Sequence, residues 1–439
     1  MAQNSLYDFC IKAPLNMAKQ THSHKLNKEE KKIVRLAALG GMLEFYDFVI
    51  YGIFSLYFAH QFFPHTNPLL SIIQSYVIFI MGYIARPLGG ILFSHIGDEY
   101  GRKKVLIITI LLMGGASVGI GVLPTYDQIG MLAPIMLLLL RLTQGLAIGG
   151  ELPSTYVYVS ESMPTKQGSG FGITMVGVNA GLLLGLFINK ILSLALTTTQ
   201  ITTYGWRLPF LLGGLLCVVS YYIRKTLQET SAFQKIHDKP PFALLYLFKH
   251  HLKQIIIGTS ITAIMSGLVV VSIVFMPTYL HDILKMNTDF ISNIMPVVIL
   301  LNIIVIYITG QIANKCSVYT LLCRLLGWSL LIIPLSYWLI SINHYTLIAG
   351  LILLALLQGI AAMLVPCFIS NLFPNKIRLT GVAFCYNIGF TLFGGLAPLI
   401  ITTLINTGYN IYLAPLGYLL LIVLIAGGGL FVKSMQAAA

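Results

Sequence analysis

Apolar stretches long enough to cross a lipid bilayer recur along almost the whole of this 439-residue chain. A membrane-spanning helix needs about 20 mostly apolar residues, and such a span with its short connection fits into the chain about twelve times. Only 9% of the residues are charged, whereas a soluble domain has about a quarter. The sequence therefore excludes a soluble globular protein and predicts an all-α integral membrane protein.

The hydropathy pattern places the individual spans. We predict twelve transmembrane helices in two six-helix pseudo-repeats, with the N- and C-termini cytoplasmic. The predicted spans are residues 33–59, 70–94, 105–123, 131–159, 169–189, 207–223, 254–280, 290–313, 319–341, 345–371, 380–405 and 410–432. The predicted domains are a cytoplasmic N-terminal segment at 1–32, six-helix bundles at 33–223 and 254–432, a cytoplasmic linker at 224–253 and a short cytoplasmic tail at 433–439.

The distribution of positive charge supports this orientation. The chain has 27 Lys and Arg against 14 Asp and Glu, a formal net charge of +13. With twelve spans, 22 of the 27 fall on the side of the termini and 3 on the other side, while Arg86 and Arg141 lie within spans. Because Lys and Arg accumulate in cytoplasmic loops, orientation explains the basic charge, and we expect no nucleic-acid partner.

Two short patterns indicate that the halves are related. Asp98 follows the second span and Asn314 follows the eighth, in similar sequence contexts. The Gln144-Gly pair of span four has a counterpart at Gln358-Gly in span ten. Equivalent positions in the same order along both halves are typical of a duplicated transporter.

Five ionisable side chains lie within the predicted spans. They are Glu44 and Asp47 in span one, Arg86 in span two, and Arg141 and Glu151 in span four. A charge among lipid tails costs several kcal/mol, about 2.5–3.5 on the most lenient scales, so such residues are functional candidates. Three acids against two guanidinium groups leave one acid without a full partner, which suits a proton carrier. A purely structural role, in which the acids only pair with the arginines, remains open.

Neutral polar residues extend this candidate site. At about 100° per residue, Tyr51 shares a helix face with the two acids of span one, and Gln144 shares a face with Arg141. The second half has no charge deep in a span, and its polar candidates include Tyr386 and Asn387. We therefore predict proton coupling and charge recognition in the first half, and aromatic and amide contacts in the second.

Other chemistry has little support in the sequence. The His250-His251 pair has no third ligand at metal spacing, and the six cysteines form no CxxC pair. HExxH is absent, and no nucleophile, base and orienting group are clustered in the sequence, so we expect no enzyme, no metal and no cofactor, with the proton as the coupling ion.

Several motifs resemble those of a known family. DEYGRKK, which begins at Asp98, resembles the loop signature of the major facilitator superfamily. EFYDF from Glu44, GGE ending at Glu151 and GWRLPF from Gly205 resemble the metabolite:proton symporter family of that superfamily. The similarity covers roughly residues 36–432.

This resemblance implies a carrier that works by alternating access. The family includes carriers for proline and betaine, α-ketoglutarate, citrate and shikimate. The resemblance implies proton-coupled uptake of a small zwitterionic or carboxylate metabolite in the inner (plasma) membrane, with the substrate, protons and the lipid bilayer as partners. We expect a monomer. The alternative is an exporter of drug- or siderophore-like compounds by proton antiport, although span five reads GVNAG from Gly177 without the proline such exporters favour.

The resemblance also assigns a conformational latch. Asp98, Gly101, Arg102 and Lys103 match the signature and would close the cytoplasmic side of the carrier. In the second copy Asn314 replaces the aspartate, so we predict that this copy does not latch through an ion pair.

Overall fold

A computed structural model describes residues 26–64, 68–236, 240 and 242–438 of the chain. Residues 1–25 of the predicted N-terminal segment and residue 439 of the predicted tail therefore lie outside the described residues. Twelve long helices, each overlapping one predicted span, make up most of the structure. They are α1 Lys28–Phe62, α2 Pro68–Tyr100, α3 Arg102–Gly121, α4 Leu132–Ser162, α5 Gln167–Ala195, α6 Arg207–Lys225, α7 Leu252–Val274, α8 Thr288–Ala313, α9 Val318–Ile342, α10 His344–Ser370, α11 Asn375–Asn406 and α12 Leu413–Ala438.

The helices have the length and composition of membrane spans. Within the described residues, eleven of them, α2 to α12, are long and apolar enough to cross a membrane, and no strand occurs in that part of the chain. The prediction of an all-α membrane protein is confirmed. The first helix, α1, is 35 residues long, and its count as a twelfth span remains a prediction, as does the orientation of the termini.

The start of α1 is fixed by a capping box. The Asn27 side chain accepts a hydrogen bond from the Glu30 backbone N–H at 2.7 Å, and the Glu30 carboxylate accepts one from the Asn27 N–H at 2.7 Å. This reciprocal pair satisfies two of the free N–H groups at a helix start. Lys166 forms a 2.9 Å ion pair with Glu30 and ties the start of α1 to the start of α5.

The first six helices contact the last six along two lines. Within the first six, α1 packs on α5, α2 on α4, and α3 on α4 and α6. The two groups meet where α2 packs on α11 and α5 packs on α8. Glycines allow these close crossings, since a Cβ atom at Gly149 would overlap the Arg86 carbonyl, and one at Gly168 would overlap the Gly310 carbonyl. The tight α2–α4 crossing brings the charged residues of both helices into one buried region.

The connection between the two groups is partly helical. Within the predicted linker, Ser231–Gln234 and Ala243–His250 form short helices. The His250 and His251 rings both pack against Tyr246, with centroids 4.6 and 5.8 Å away.

Candidate functional site

The five charged residues predicted within the spans are all buried. Each of Glu44, Asp47, Arg86, Arg141 and Glu151 is less than 5% exposed. They do not form one common network. The structure places them in three different surroundings, and these differences indicate what each side chain does.

Asp47 and Arg141 are connected through two neutral side chains. Ser117 on α3 donates a 2.6 Å hydrogen bond to Asp47 Oδ2, and Gln144 donates a 2.9 Å bond to Ser117 Oγ. Arg141 Nη1 donates a 2.9 Å bond to Gln144 Oε1. The chain runs across α1, α3 and α4 and links Asp47 to Arg141 through three hydrogen bonds. Ser117 was missed by the sequence analysis because a hydroxyl carries no signal in hydropathy or charge.

Aromatic rings cover the Arg141 guanidinium. Its Cζ atom lies 4.4 Å from the centroid of Tyr51 and 4.8 Å from that of Phe79. The Tyr51 hydroxyl donates a 3.3 Å hydrogen bond to the Ser75 carbonyl. Cation–π contacts of this kind stabilise a desolvated guanidinium. Tyr51, which was predicted to share a helix face with the acids, therefore stabilises Arg141 through a direct cation–π contact.

Glu151 forms an ion pair with Arg224 of α6. Arg224 donates from both Nη atoms to the two Glu151 oxygens, with the Nη1–Oε2 bond at 2.9 Å. Thr109 adds a 2.5 Å hydrogen bond to Glu151 Oε2. The bidentate geometry satisfies this carboxylate as an anion.

The assignment of Arg224 to the cytoplasmic linker is wrong. Arg224 lies in the last turn of α6 and is only 2% exposed. Counting Arg224 gives three arginines for three acids, so the predicted numerical excess of one acid is also wrong. The sequence signal that could have located Arg224 was Glu151, a buried acid on α4 that requires a cation nearby.

Glu44 nevertheless has no hydrogen-bond partner among the residues that the structure describes. The side chain is 1% exposed, and within the described part of the chain neither carboxylate oxygen has a hydrogen-bond partner. Glu151, Arg86 and Arg224 are the charged groups that act on it electrostatically. One buried acid therefore lacks hydrogen-bond partners among the described residues, although the three acids of spans one and four are matched in number by Arg86, Arg141 and Arg224.

Arg86 lies among aromatic rings at the contact between the first and last six helices. Its Cζ atom is 5.5 Å from the ring centroid of Tyr83, and 5.7 and 5.2 Å from those of Tyr386 and Phe390 on α11. Among the residues that the structure describes, Arg86 Nε and Nη2 have no hydrogen-bond partner. The guanidinium therefore retains donors that suit an anionic group.

Asn387 joins the two groups of helices beside Arg86. Its Nδ2 donates a 2.8 Å hydrogen bond to the Gly149 carbonyl on α4 and a 2.9 Å bond to Ala383 on its own helix. The predicted amide candidate of the second half is thus occupied by contacts between helices α4 and α11.

The residues of the predicted latch lie at one end of the molecule, called here the latch end. Asp98 forms a 3.2 Å ion pair with Arg102. The other Asp98 oxygen accepts hydrogen bonds from the Thr380 N–H at 2.9 Å and its hydroxyl at 2.7 Å. Thr380 lies near the start of α11, where free N–H groups favour an anion. Gly101 has φ of +110°, a conformation that favours glycine, and it lets the chain turn directly from α2 into α3.

Arg102 lies at the centre of the predicted latch. It is fully buried and donates to the Gly97 carbonyl at 2.8 Å and the Asn375 carbonyl at 2.9 Å. It also pairs with Glu161 at 3.2 Å, a partner that the sequence analysis missed because it lies at the end of α4. Lys103 contributes its backbone N–H, which donates a 3.1 Å bond to Glu229.

The contacts at the predicted second copy of the latch involve neutral groups. Asn314 Oδ1 accepts a 3.1 Å hydrogen bond from the Ser169 N–H, and Asn314 Nδ2 donates a 2.6 Å bond to Ser169 Oγ. Asn314 therefore contacts the start of α5 as Asp98 contacts the start of α11. One contact is ionic and the other is an amide contact.

A comparison with known proteins identifies the family. The model of the Major Facilitator Superfamily matches residues 37–323. The chain belongs to this superfamily. A putative proline/betaine transporter of Staphylococcus aureus (strain COL) is 30% identical over 89% of this chain and 85% of the relative. The α-ketoglutarate permease of Escherichia coli (strain K12) is 31% identical over 85% of this chain and 87% of the relative.

A solved structure of the same superfamily has the same fold. The proton:xylose symporter XylE, bound to 6-bromo-6-deoxy-D-glucose, superposes with a TM-score of 0.74 at 16% identity, covering 91% of this chain and 95% of that one. The named relatives are transporters, so this chain is a multi-pass membrane transporter and not an enzyme.

Proposed function

We propose that this protein takes up a small zwitterionic or carboxylate metabolite together with a proton, by alternating access, in the inner (plasma) membrane. The observation that carries the proposal is the presence of two buried charged side chains, Arg86 and Glu44, with unused hydrogen-bonding groups. One offers unused guanidinium donors, and the other offers a carboxylate without a hydrogen-bond partner within the described residues. The named relatives act on proline or betaine and on α-ketoglutarate, solutes that carry a carboxylate.

Arg86 is the proposed site for the substrate carboxylate. Guanidinium groups bind carboxylates through two parallel hydrogen bonds, and Arg86 has free Nε and Nη2 donors among the described residues. Residues of α2 and α11 surround it, so a substrate bound there contacts both groups of helices. Binding at such a contact couples the substrate to a rocking motion between them.

Glu44 is the proposed proton carrier. Glu151 is held as an anion by Arg224 and Thr109, and Asp47 accepts a hydrogen bond from Ser117. A buried carboxylate without comparable partners is costly to leave charged, so Glu44 is the acid best suited to gain and lose a proton during transport. The chain from Asp47 to Arg141 then positions α1 against α3 and α4.

Uptake into proteoliposomes tests the function. Labelled proline, betaine and α-ketoglutarate are offered with and without an inward proton gradient. We expect at least one to accumulate only when the gradient is present. Accumulation that ignores the gradient would exclude symport, and proton-dependent efflux from loaded vesicles would favour the exporter.

Replacing Glu44 with glutamine is expected to separate exchange from accumulation. Because glutamine cannot carry a proton, Glu44→Gln should abolish proton-driven accumulation while counterflow of labelled substrate continues. Glu29→Gln is the matched control, since Glu29 lies on the same helix but is exposed. Full proton-driven accumulation by Glu44→Gln would show that another group carries the proton.

Replacing Arg86 with glutamine is expected to weaken substrate binding. A hydrogen bond to a charged group contributes about 1.5–3 kcal/mol, and 1.4 kcal/mol is tenfold in affinity, so Arg86→Gln should raise the KM for uptake at least about tenfold. Arg86→Lys keeps the charge but not the paired donors, so its KM should lie between those of the wild type and Arg86→Gln. An unchanged KM in both variants would remove Arg86 from the substrate site.

A further inference from the structure

The face of α1 that carries the two acids continues toward the latch end. Ile33, Ala37, Gly40, Glu44 and Asp47 are spaced three or four residues apart, so they share one helix face. At 1.5 Å per residue, Ala37 lies about 10 Å along the axis from Glu44. The face therefore connects the buried acids with the end of the molecule where the latch lies.

The ion pair between Glu151 and Arg224 lies directly on this face. A Cβ atom at Gly40 would overlap the Arg224 guanidinium and would lie 3.1 Å from Glu151 Oε1. Gly40 is one helical turn from Glu44. Only a glycine allows α1 to pass this close, and the contact places the pair next to Glu44 on the side toward the latch end.

A small cavity lies next to Arg224 of this ion pair. Residues of α1, α3, α4 and α6 line it, among them Ala37, Thr155, Tyr158 and Arg224. Thr155 is 2% exposed, and its hydroxyl has no hydrogen-bond partner among the residues described by the structure. The Tyr158 hydroxyl donates a 2.8 Å bond to the Gln228 carbonyl, next to the Glu229 side chain that contacts the latch. A cavity with an unused hydroxyl is a suitable place for a water molecule.

We propose that the coupling proton leaves through this cavity, inside the first six helices, while the substrate leaves between the two groups of helices. This inference rests on the proposed function and adds a route to it. The proton passes from the Glu44 carboxyl group to the Glu151 carboxylate, so that Glu44 becomes the anion and the hold of Arg224 on Glu151 weakens. Glu151 then gives the proton to water beside Thr155, and the ion pair with Arg224 forms again. Each step moves one proton and leaves the total charge of the site unchanged until the proton reaches the solution.

Separate routes have a physical consequence for coupling. A proton that left together with the substrate would pass through the same opening between α2 and α11 that releases the substrate. A route through the cavity keeps the proton release under the control of Arg224, which pairs with Glu151 and lines the cavity. Arg224 is in this account a positioning residue, because it holds Glu151 and does not itself carry the proton.

Thr155→Val tests the route, because valine keeps the shape of threonine and removes only the hydroxyl. The variant is reconstituted with a pH-sensitive dye inside the vesicles, and both proton arrival and labelled uptake are followed. Loss of one hydrogen bond of about 1–1.5 kcal/mol predicts a decrease of about tenfold in both rates. Exchange of labelled substrate at equal pH should stay within about twofold, because exchange needs no net proton release. Thr155→Ser, which restores a hydroxyl, should recover proton-driven uptake.

Thr143→Val is the matched control on the same helix. The Thr143 hydroxyl donates only to the Leu139 carbonyl of its own helix at 2.9 Å and does not line the cavity. Wild-type proton arrival in Thr155→Val, or an equal loss of exchange and driven uptake, would overturn the route. If the wild-type protein shows no proton dependence, the proposed function fails together with the route. Proton-driven uptake by the wild type with an unaffected Thr155→Val would reject the route alone.

Discussion

Replacing Arg224 with glutamine is expected to lower the free energy of unfolding by about 3–5 kcal/mol, the usual cost of removing one partner of a buried ion pair. Arg224 and Glu151 are both buried, and Arg224 also donates a 2.7 Å hydrogen bond to the Leu106 carbonyl of α3. Without the guanidinium, the Glu151 carboxylate would remain desolvated between α3, α4 and α6. The loss of stability is measured by heating the purified protein in detergent and monitoring its unfolding by size-exclusion chromatography.

Two further variants make this prediction specific. Lys225→Gln removes the neighbouring positive charge, which is exposed, and should leave the unfolding temperature nearly unchanged. The double variant Glu151→Gln with Arg224→Gln removes both charges and should recover most of the stability, since the remaining amides are neutral. If Arg224→Gln unfolds no earlier than Lys225→Gln, the pair does not stabilise the first six helices.

The fold was predictable because hydropathy and charge can be read directly from the local sequence. Each predicted span overlaps one observed helix, since burial in a bilayer requires a continuous apolar stretch with its backbone hydrogen bonds satisfied internally. The five buried charges were equally visible, because a charge is rare in such a stretch. Local sequence was sufficient for both.

The partners of those charges were not predictable in the same way. Ser117, Thr109 and Glu161 reach Asp47, Glu151 and Arg102 only through the packing of helices that are distant in sequence. The angles and rotations at these crossings depend on small residues such as Gly149, whose effect appears only when the facing helix is known.

Arg224 shows how a rule about charge can mislead. The count of Lys and Arg by side places Arg224 in the linker, because it directly follows the last residue of a predicted span. Arg224 is at such an end, but it points into the bundle because Glu151 on the neighbouring helix requires a cation. A buried acid without a predicted partner therefore indicates the location of an arginine at a helix end better than the orientation rule does.

The two latch contacts are expected to differ in strength. Asp98 combines an ion pair to Arg102 with two hydrogen bonds to Thr380, whereas Asn314 makes two neutral hydrogen bonds to Ser169. Hydrogen bonds to charged groups contribute about twice as much as neutral ones. The contact between the two groups of helices at the latch end should therefore depend more on Asp98 than on Asn314.

Cys367 can report the opening of the latch end. Its side chain is 1% exposed, and its Sγ lies 3.8 Å from Gln167 Oε1, between α10 and α5. In a background where the other five cysteines are replaced, Asp98→Asn should increase the rate of Cys367 labelling by N-ethylmaleimide at least about a hundredfold, because removing one partner of a buried ion pair costs about 3–5 kcal/mol. Asn314→Ala should increase the rate less, because its two neutral hydrogen bonds together contribute about 2 kcal/mol.

The matched control is Glu99→Gln, which removes the neighbouring carboxylate. Glu99 is about half exposed and pairs with His95 on the surface of α2, away from α11. The rate of Cys367 labelling in Glu99→Gln should equal that of the parent protein, because an exposed ion pair contributes little to stability. An equal increase in Glu99→Gln and Asp98→Asn would mean that general loss of charge, and not the contact with Thr380, opens the latch end. A larger increase in Asn314→Ala than in Asp98→Asn would reverse the order of the two contacts, and the neutral copy would then be the one that holds the two groups of helices together.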